Sequence, residues 1–274
     1  MRLRSHDLRV RARRAAQLAS SPPRLPRSAA VREEGIDLSL LEGFELRLDG
    51  ERVDLPLSAQ RLIAFLALHN RPLQRGFVAG NLWIDSSEER AAANLRSALW
   101  RLHRHGRQLV ETRGGRLTLS AHVRVDLHDL TDRAHKVLDA AAGEPEQAGE
   151  PGSYFDLSLS GELLPDWYED WILVERERFR QLRMHALESL CEQLAAAGKH
   201  AHAIEAGLAA VAAEPLRESA HRALIRCHLA EGNPAEAVRQ YRRYEQVLRE
   251  ELGTNPSSQM LDLVAGMGIA VTPP

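Results

Sequence analysis

The chain is poor in cysteine, with only Cys191 and Cys227 among its 274 residues. Two cysteines make no disulfide framework. Both fall in apolar helical stretches and read as buried small hydrophobes. Long hydrophobic runs are missing too: none approaches the roughly 18 apolar residues that span a bilayer. The arginine-rich start, MRLRSHDLRVRARRAAQLASSPPRLPRS, lacks the hydrophobic region of a signal peptide and reads as a flexible basic extension. Catalytic and metal signatures are equally scarce. There is no His-Glu-x-x-His, no paired-cysteine zinc spacing, no nucleophile elbow and no G-x-x-x-x-G-K-[ST] loop. His103/His105 and His200/His202 are each two apart, which on a helix points them about 200° apart, so one ion cannot easily use both. These absences exclude an enzyme, a resident cofactor and a metal site. They leave a soluble, intracellular protein of a reducing compartment with no membrane partner.

Charge is present in both signs but unevenly placed. The net charge is only −2. Residues 1–32 carry nine arginines and one aspartate, and residues 57–116 carry ten arginines against four acids. Residues 162–262 reverse the balance, with twelve basic and seventeen acidic residues. A basic front joined to an acidic back points to a polyanion partner for the front. The 44% hydrophobic content suffices for a buried core. The length fits one large domain or two ordinary ones.

Local patterns give an order of elements. In FELRLDGERVDL, Phe44, Leu46 and Leu48 alternate with polar residues around Asp49-Gly50, a two-residue hairpin signal. Three helical patterns follow, over 58–70, 74–83 and 87–105. Ser58 is the expected N-cap of the first. Gly76 and Gly80 weaken the second by about 1 kcal/mol each relative to alanine. Ser86 and Glu89 have capping-box spacing before the third. A second hairpin turns at Gly114-Gly115, with Arg113 and Arg116 beside its tip. From about Val123 the chain is expected to be helical, with a Gly/Pro/Glu-rich break at 141–153 and a long helix from about Asp166 to Ala197. The segments beginning at Leu190 and Leu224 match at an offset of 34, pairing Gly198 with Gly232, Ala203 with Ala237 and Ile204 with Val238. That period, with two helices per unit, is the tetratricopeptide pattern. Trp167 and Trp171, at i and i+4, read as core or interface rather than as a platform for a stacked ligand.

The third helix carries the chemistry. Ala92, Leu95, Leu99 and Leu102 form its expected core stripe. Arg90, Asn94, Ser97, Arg101 and Arg104 line one stripe opposite it, flanked by Arg96. Arginine can pair bidentately with guanine, asparagine with adenine, and serine and arginine can hold phosphates. A solvated face would mix glutamate with lysine, yet this one is purely cationic and polar from Asn94 onward. Helix, turn, helix, then a hairpin tipped with Arg113 and Arg116, is the order of a winged helix-turn-helix. A protein-docking scaffold whose winged helix reads no DNA is the alternative, but it needs no arginine stripe.

On these motifs, residues 36–122 resemble a winged-helix effector domain of the OmpR type, like those of two-component systems. Residues 123–268 resemble the bacterial transcriptional activator domain, through VDLHDLTDRAHKVL, LLPDWYEDWILVERERFRQLRMHALESL and AEPLRESAHRALIRCHLAEGNPAEAVRQYRRYEQVLREELGTNPSSQM. Residues 1–35 and 269–274 lie outside the resemblance as an extension and a tail. The pair resembles the short members of the Streptomyces antibiotic regulatory protein family. The resemblance implies a mainly α protein with small β-sheets, a winged helix-turn-helix followed by an all-α tetratricopeptide-like domain. It further implies a cytoplasmic bacterial activator of a biosynthetic gene cluster, nucleoid-associated when bound. Such a protein binds direct repeats near the promoter −35 region as two protomers and recruits RNA polymerase through sigma, alpha and the beta flap. Residues 87–105 would be the recognition helix, 109–120 the wing, and Arg113 and Arg116 phosphate contacts.

Overall fold

The computed structural model describes residues 35–104, 106–142 and 161–265. The arginine-rich extension, His105, most of the 141–153 break and the C-terminal tail lie outside the described residues. Among these residues the fold is mainly helical with two small sheets.

Strands β1 (Ile36–Ser39), β2 (Glu45–Leu48) and β3 (Glu51–Val53) form an antiparallel meander. Asp49 and Gly50 make its expected turn, both at positive φ (52° and 82°), as a type I′ hairpin requires. A fourth strand joins from far along the chain. Val123 to Val125 were expected to open a helix. They form a strand instead, β7 in chain order, parallel to β1, and the sheet runs β3-β2-β1-β7. Val123 and Val125 are buried while Arg124 points out, a period-2 pattern of β-branched residues that suits a strand.

Between these strands lie α1 (Leu57–His69), the two-residue β4 (Leu73–Gln74), α2 (Arg75–Leu82) and α3 (Glu88–His103). The expected caps both move. Pro56 precedes α1 with no side-chain cap, and Ser58 sits inside the first turn. Ser87, not Ser86, caps α3, its hydroxyl accepting from the Arg90 backbone N–H at 3.5 Å. Strands β5 (Val110–Arg113) and β6 (Arg116–Leu119) form the second hairpin, with Gly114 and Gly115 again both at positive φ (55° and 75°). β4 extends it into a sheet ordered β4-β6-β5.

The remaining chain supplies α4 (Asp126–Ala142), α5 (Asp170–Ala196), α6 (His200–Ala213), α7 (Glu218–Ala230), α8 (Pro234–Leu252) and α9 (Ser258–Ala265). The long helix starts at Asp170 rather than Asp166, because the chain before it is drawn to the first sheet. Leu164 N–H donates to Leu40 at 2.9 Å, and Glu42 N–H donates to Glu162 at 2.9 Å. The 34-residue repeat is visible at the level of single hydrogen bonds. Gly198 and Gly232 both stand at positive φ. Gly198 N–H bonds to Ala195 and Lys199 N–H to Leu194, while Gly232 N–H bonds to Leu229 and Asn233 N–H to His228. Each pair is a Schellman closure, which needs a left-handed residue and so favours glycine.

One contiguous apolar core runs through both halves, from Leu38 and Leu46 through Phe65 and Leu99 to Leu187 and Cys227. Trp167 and Trp171 lie in the seam. Trp171 packs T-shaped on Phe65 with centroids 5.1 Å apart, and Trp167 stacks on Phe44 at 5.9 Å. Polar links cross the same seam. The Asp126 carboxylate accepts from the backbone of Leu40 (2.9 Å), Leu41 (3.3 Å) and Leu127 (2.7 Å). Burial raises its pKa above the ordinary value, against the pull of those hydrogen bonds. Arg61 donates to the Leu82 carbonyl at 2.8 Å and pairs with Glu169 at 2.8 Å.

Two glycines test how tightly the helices pack. A Cβ on Gly207 would lie 3.0 Å from Leu224 Cδ1 and 3.1 Å from Cys191 Sγ, where α6 crosses its neighbours. Gly207→Ala is expected to cost about 1–3 kcal/mol by overpacking. Gly80, inside α2, would meet nothing within 4 Å. Gly80→Ala is expected to add roughly 0.5–1 kcal/mol by removing the helix penalty of glycine. Denaturant titration of both variants checks the pair; equal shifts in the same direction would refute the packing described.

His221 supplies a pH test. It is 1% exposed, its Nδ1 accepts from Gln240 at 2.8 Å and its Nε2 donates to the Pro215 carbonyl at 3.0 Å. Burial lowers its pKa, so the folded chain keeps the ring neutral where the unfolded chain would protonate. Stability is expected to fall as pH drops below about 6.5, the ordinary histidine value. Melting His221→Gln at pH 7 and pH 5 should show a smaller acid loss than the unmodified chain. Identical losses would remove His221 from the account.

Candidate nucleic-acid interface

Helix α3 buries Ala91, Leu95, Ala98, Leu99 and Leu102. The core stripe therefore starts at Ala91; Ala92, expected in it, is only half-buried. At 100° per residue, the line opposite this stripe runs through Ala93, Arg96, Trp100 and Arg104. The expected stripe of Arg90, Asn94, Ser97, Arg101 and Arg104 lies about 60° to one side of that line. Arg90, Arg96, Ser97, Arg101 and Arg104 are exposed, and Asn94 is half-buried.

Two of these side chains have contacts that sequence reasoning did not foresee. Arg101 Nη1 donates to Ser58 Oγ at 3.1 Å, so the expected capping serine of α1 instead braces α3. Arg104 lies over the Trp100 ring with its guanidinium carbon 5.0 Å from the centroid. Trp100 itself is 61% exposed, at the centre of the outward face. Only its offset from the buried positions in the helical pattern marked it beforehand. The acids of α3, Glu88 and Glu89, stay in its first turn, where they favour the positive helix end.

The wing brings more positive charge. Arg113 and Arg116 face each other across the hairpin register and are both exposed. Arg113, itself largely exposed, pairs with the mostly covered Glu111 at 3.0 Å, and its open side faces solvent. Arg116 shares a shallow cleft with Arg71, Gln74 and Phe77 at the base of α2. Helix α3 and the wing thus present arginines on elements whose other sides are locked into the core. The arrangement can hold a phosphate backbone and offers hydrogen-bond donors to base edges.

Other residues weighed from sequence play no such part. Cys191 and Cys227 are buried free thiols, and burial pushes both thiols above their ordinary pKa. His103 Nδ1 lies 2.7 Å from the Leu99 carbonyl within its own helix. Among the described residues no three His, Cys, Asp or Glu side chains gather into a metal site, and no helix is long and apolar enough to cross a membrane.

Comparison with known proteins agrees with this architecture. Regulatory protein AfsR of Streptomyces griseus is 28% identical over 226 residues, 81% of this chain and 23% of its own length. Regulatory protein AfsR of Streptomyces coelicolor is 27% identical over 226 residues, 78% of this chain and 22% of its own. The chain thus spans under a quarter of the length of these curated relatives. Among solved structures, Mycobacterium tuberculosis EmbR in complex with a low-affinity phosphopeptide superimposes with a TM-score of 0.67, covering 88% of this chain and 67% of that one at 21% identity. That likeness is one of fold. The model of the bacterial transcriptional activator domain matches residues 125–266. The chain therefore belongs to the bacterial transcriptional activator domain family, a regulatory family, with AfsR proteins of Streptomyces among its relatives.

Proposed function

We propose that the chain is a sequence-specific DNA-binding activator of transcription, acting on a biosynthetic gene cluster of the antibiotic or secondary-metabolite kind. Helix α3 enters a major groove and the wing holds adjacent backbone. The observation that carries this reading is the arginine-bearing face of α3, followed along the chain by an arginine-tipped hairpin, with acids only in the first turn of the helix. Residues 36–122 act as the DNA-binding domain and residues 123–268 as the activator domain. Arg90, Asn94, Arg96, Ser97, Arg101 and Arg104 meet bases and phosphates, and Arg113 and Arg116 meet phosphates. The target is double-stranded promoter DNA carrying direct repeats near the −35 region. Two protomers bind side by side, and the helical half contacts RNA polymerase through sigma, alpha and the beta flap. The protein works in the cytoplasm on the nucleoid and carries out no catalysis. The relatives named regulatory proteins and the family assignment of residues 125–266 support this assignment.

The two arginine roles separate experimentally. Arg101→Ala is expected to cost roughly 1–3 kcal/mol and to relax preference at one base pair, because a bidentate guanine contact is lost. Arg116→Ala is expected to weaken all sequences alike and to lower the slope of log affinity against log salt by about one, because one phosphate contact and its released counterion are lost. Electrophoretic shifts of repeat-bearing promoter fragments and of random duplex, across a salt series, check both. Equal affinity of the unmodified protein for the two kinds of DNA would reduce the reading to a scaffold.

A further inference from the structure

An indole in the middle of a cationic face is out of place on a helix that serves only phosphates. Trp100 is 61% exposed. It stands directly opposite the buried residues of α3, with Arg96 one turn before it and Arg104 one turn after. The Arg104 guanidinium lies over the ring at 5.0 Å, a cation–π arrangement that steadies the indole and leaves its far face and edge open.

Charge decides what covers this ring. An apolar protein surface seated on Trp100 would bury Arg96 and Arg104 beside it, which is costly for unpaired charges. A nucleic-acid groove covers the ring while phosphates neutralise the flanking arginines. Within the major groove the apolar feature is the thymine C5-methyl, and an aromatic or aliphatic side chain meets it by contact rather than by hydrogen bonding. The indole N–H adds one donor for an acceptor on a base edge. We propose that Trp100 is a specificity-determining residue that reads a thymine by packing its indole against the C5-methyl, with Arg104 positioning the ring. This rests on the reading of α3 as a DNA-binding helix and adds a base-reading role outside the arginine stripe.

The test uses duplexes selected from a random-sequence pool by the full chain. Each thymine of the selected duplex is replaced in turn by deoxyuracil, which removes only the methyl group. For the unmodified protein, at least one replacement should lower affinity about fourfold, the worth of one buried methyl-sized group. Trp100→Ala should bind the selected duplex roughly tenfold or more weakly, within the range of a lost base contact, and should no longer respond to that replacement. Its thermal melt should match that of the unmodified chain, since the ring lies outside the core. If Trp100→Ala binds as tightly as the unmodified protein, or still senses the same methyl, the thymine role is overturned. If the unmodified chain enriches no sequence from the pool, the DNA reading itself fails, and with it this proposal.

Discussion

Burial of apolar surface in a shared core that runs from the first sheet into the repeat helices is the constraint on which the rest depends. Leu38 and Leu40 on the sheet side, Phe65 and Leu66 on α1, and Ile172 and Leu187 on α5 belong to one contiguous cluster. The T-shaped packing of Phe65 on Trp171 stands at its seam. Fully burying each such side chain contributes about 1.5–3 kcal/mol, far more than the exposed ion pairs on the surface. The arginines of α3 can face outward because Leu95, Leu99 and Leu102 of the same helix are held inside.

Polar contacts at the seam fix geometry rather than supply the bulk of the energy. Arg61 touches the end of α2 through the Leu82 carbonyl and the start of α5 through Glu169. Arg176, on α5, donates to the carbonyls of Leu163 and Trp167 at 2.8 and 2.9 Å. His128 of α4 bonds to the Ala67 carbonyl of α1 at 2.7 Å. Each of these satisfies a backbone carbonyl near a helix end or in a connecting segment, where no partner is available within the helix. The winged-helix portion and the helical repeats are thereby joined by specific hydrogen bonds as well as by shared core.

Features with a local cause were legible in the sequence. Asp49-Gly50 and Gly114-Gly115 adopt the paired positive φ angles that their residue types favour. Gly198 and Gly232 close their helices 34 residues apart, as the repeat required. Features with a distant cause were not. β7 is a strand because β1 lies beside it, and the pairing of Ile36 with Val123 spans most of the winged-helix region. The two-residue β4 is shorter than any periodic signal. Ser58 loses its expected capping role to a contact with Arg101, 43 positions away. On α3 the residue types of the charged face were readable. The central place of Trp100 emerged only once the buried positions were known, since a one-residue shift of the core stripe from Ala92 to Ala91 rotates the outward face.

The parallel pairing of β7 with β1 bears on how the chain can be divided. A fragment ending at residue 122 keeps α3 and the wing but strips β1 of its neighbour on one side. The backbone N–H and C=O groups of Ile36 to Leu38 would then stand open along that side, a template for association with another chain. The same cut removes Asp126, which holds the amides of Leu40 and Leu41. Self-association of such a fragment would reflect the missing strand rather than a native dimer surface, so its oligomeric state says little about how the whole chain assembles.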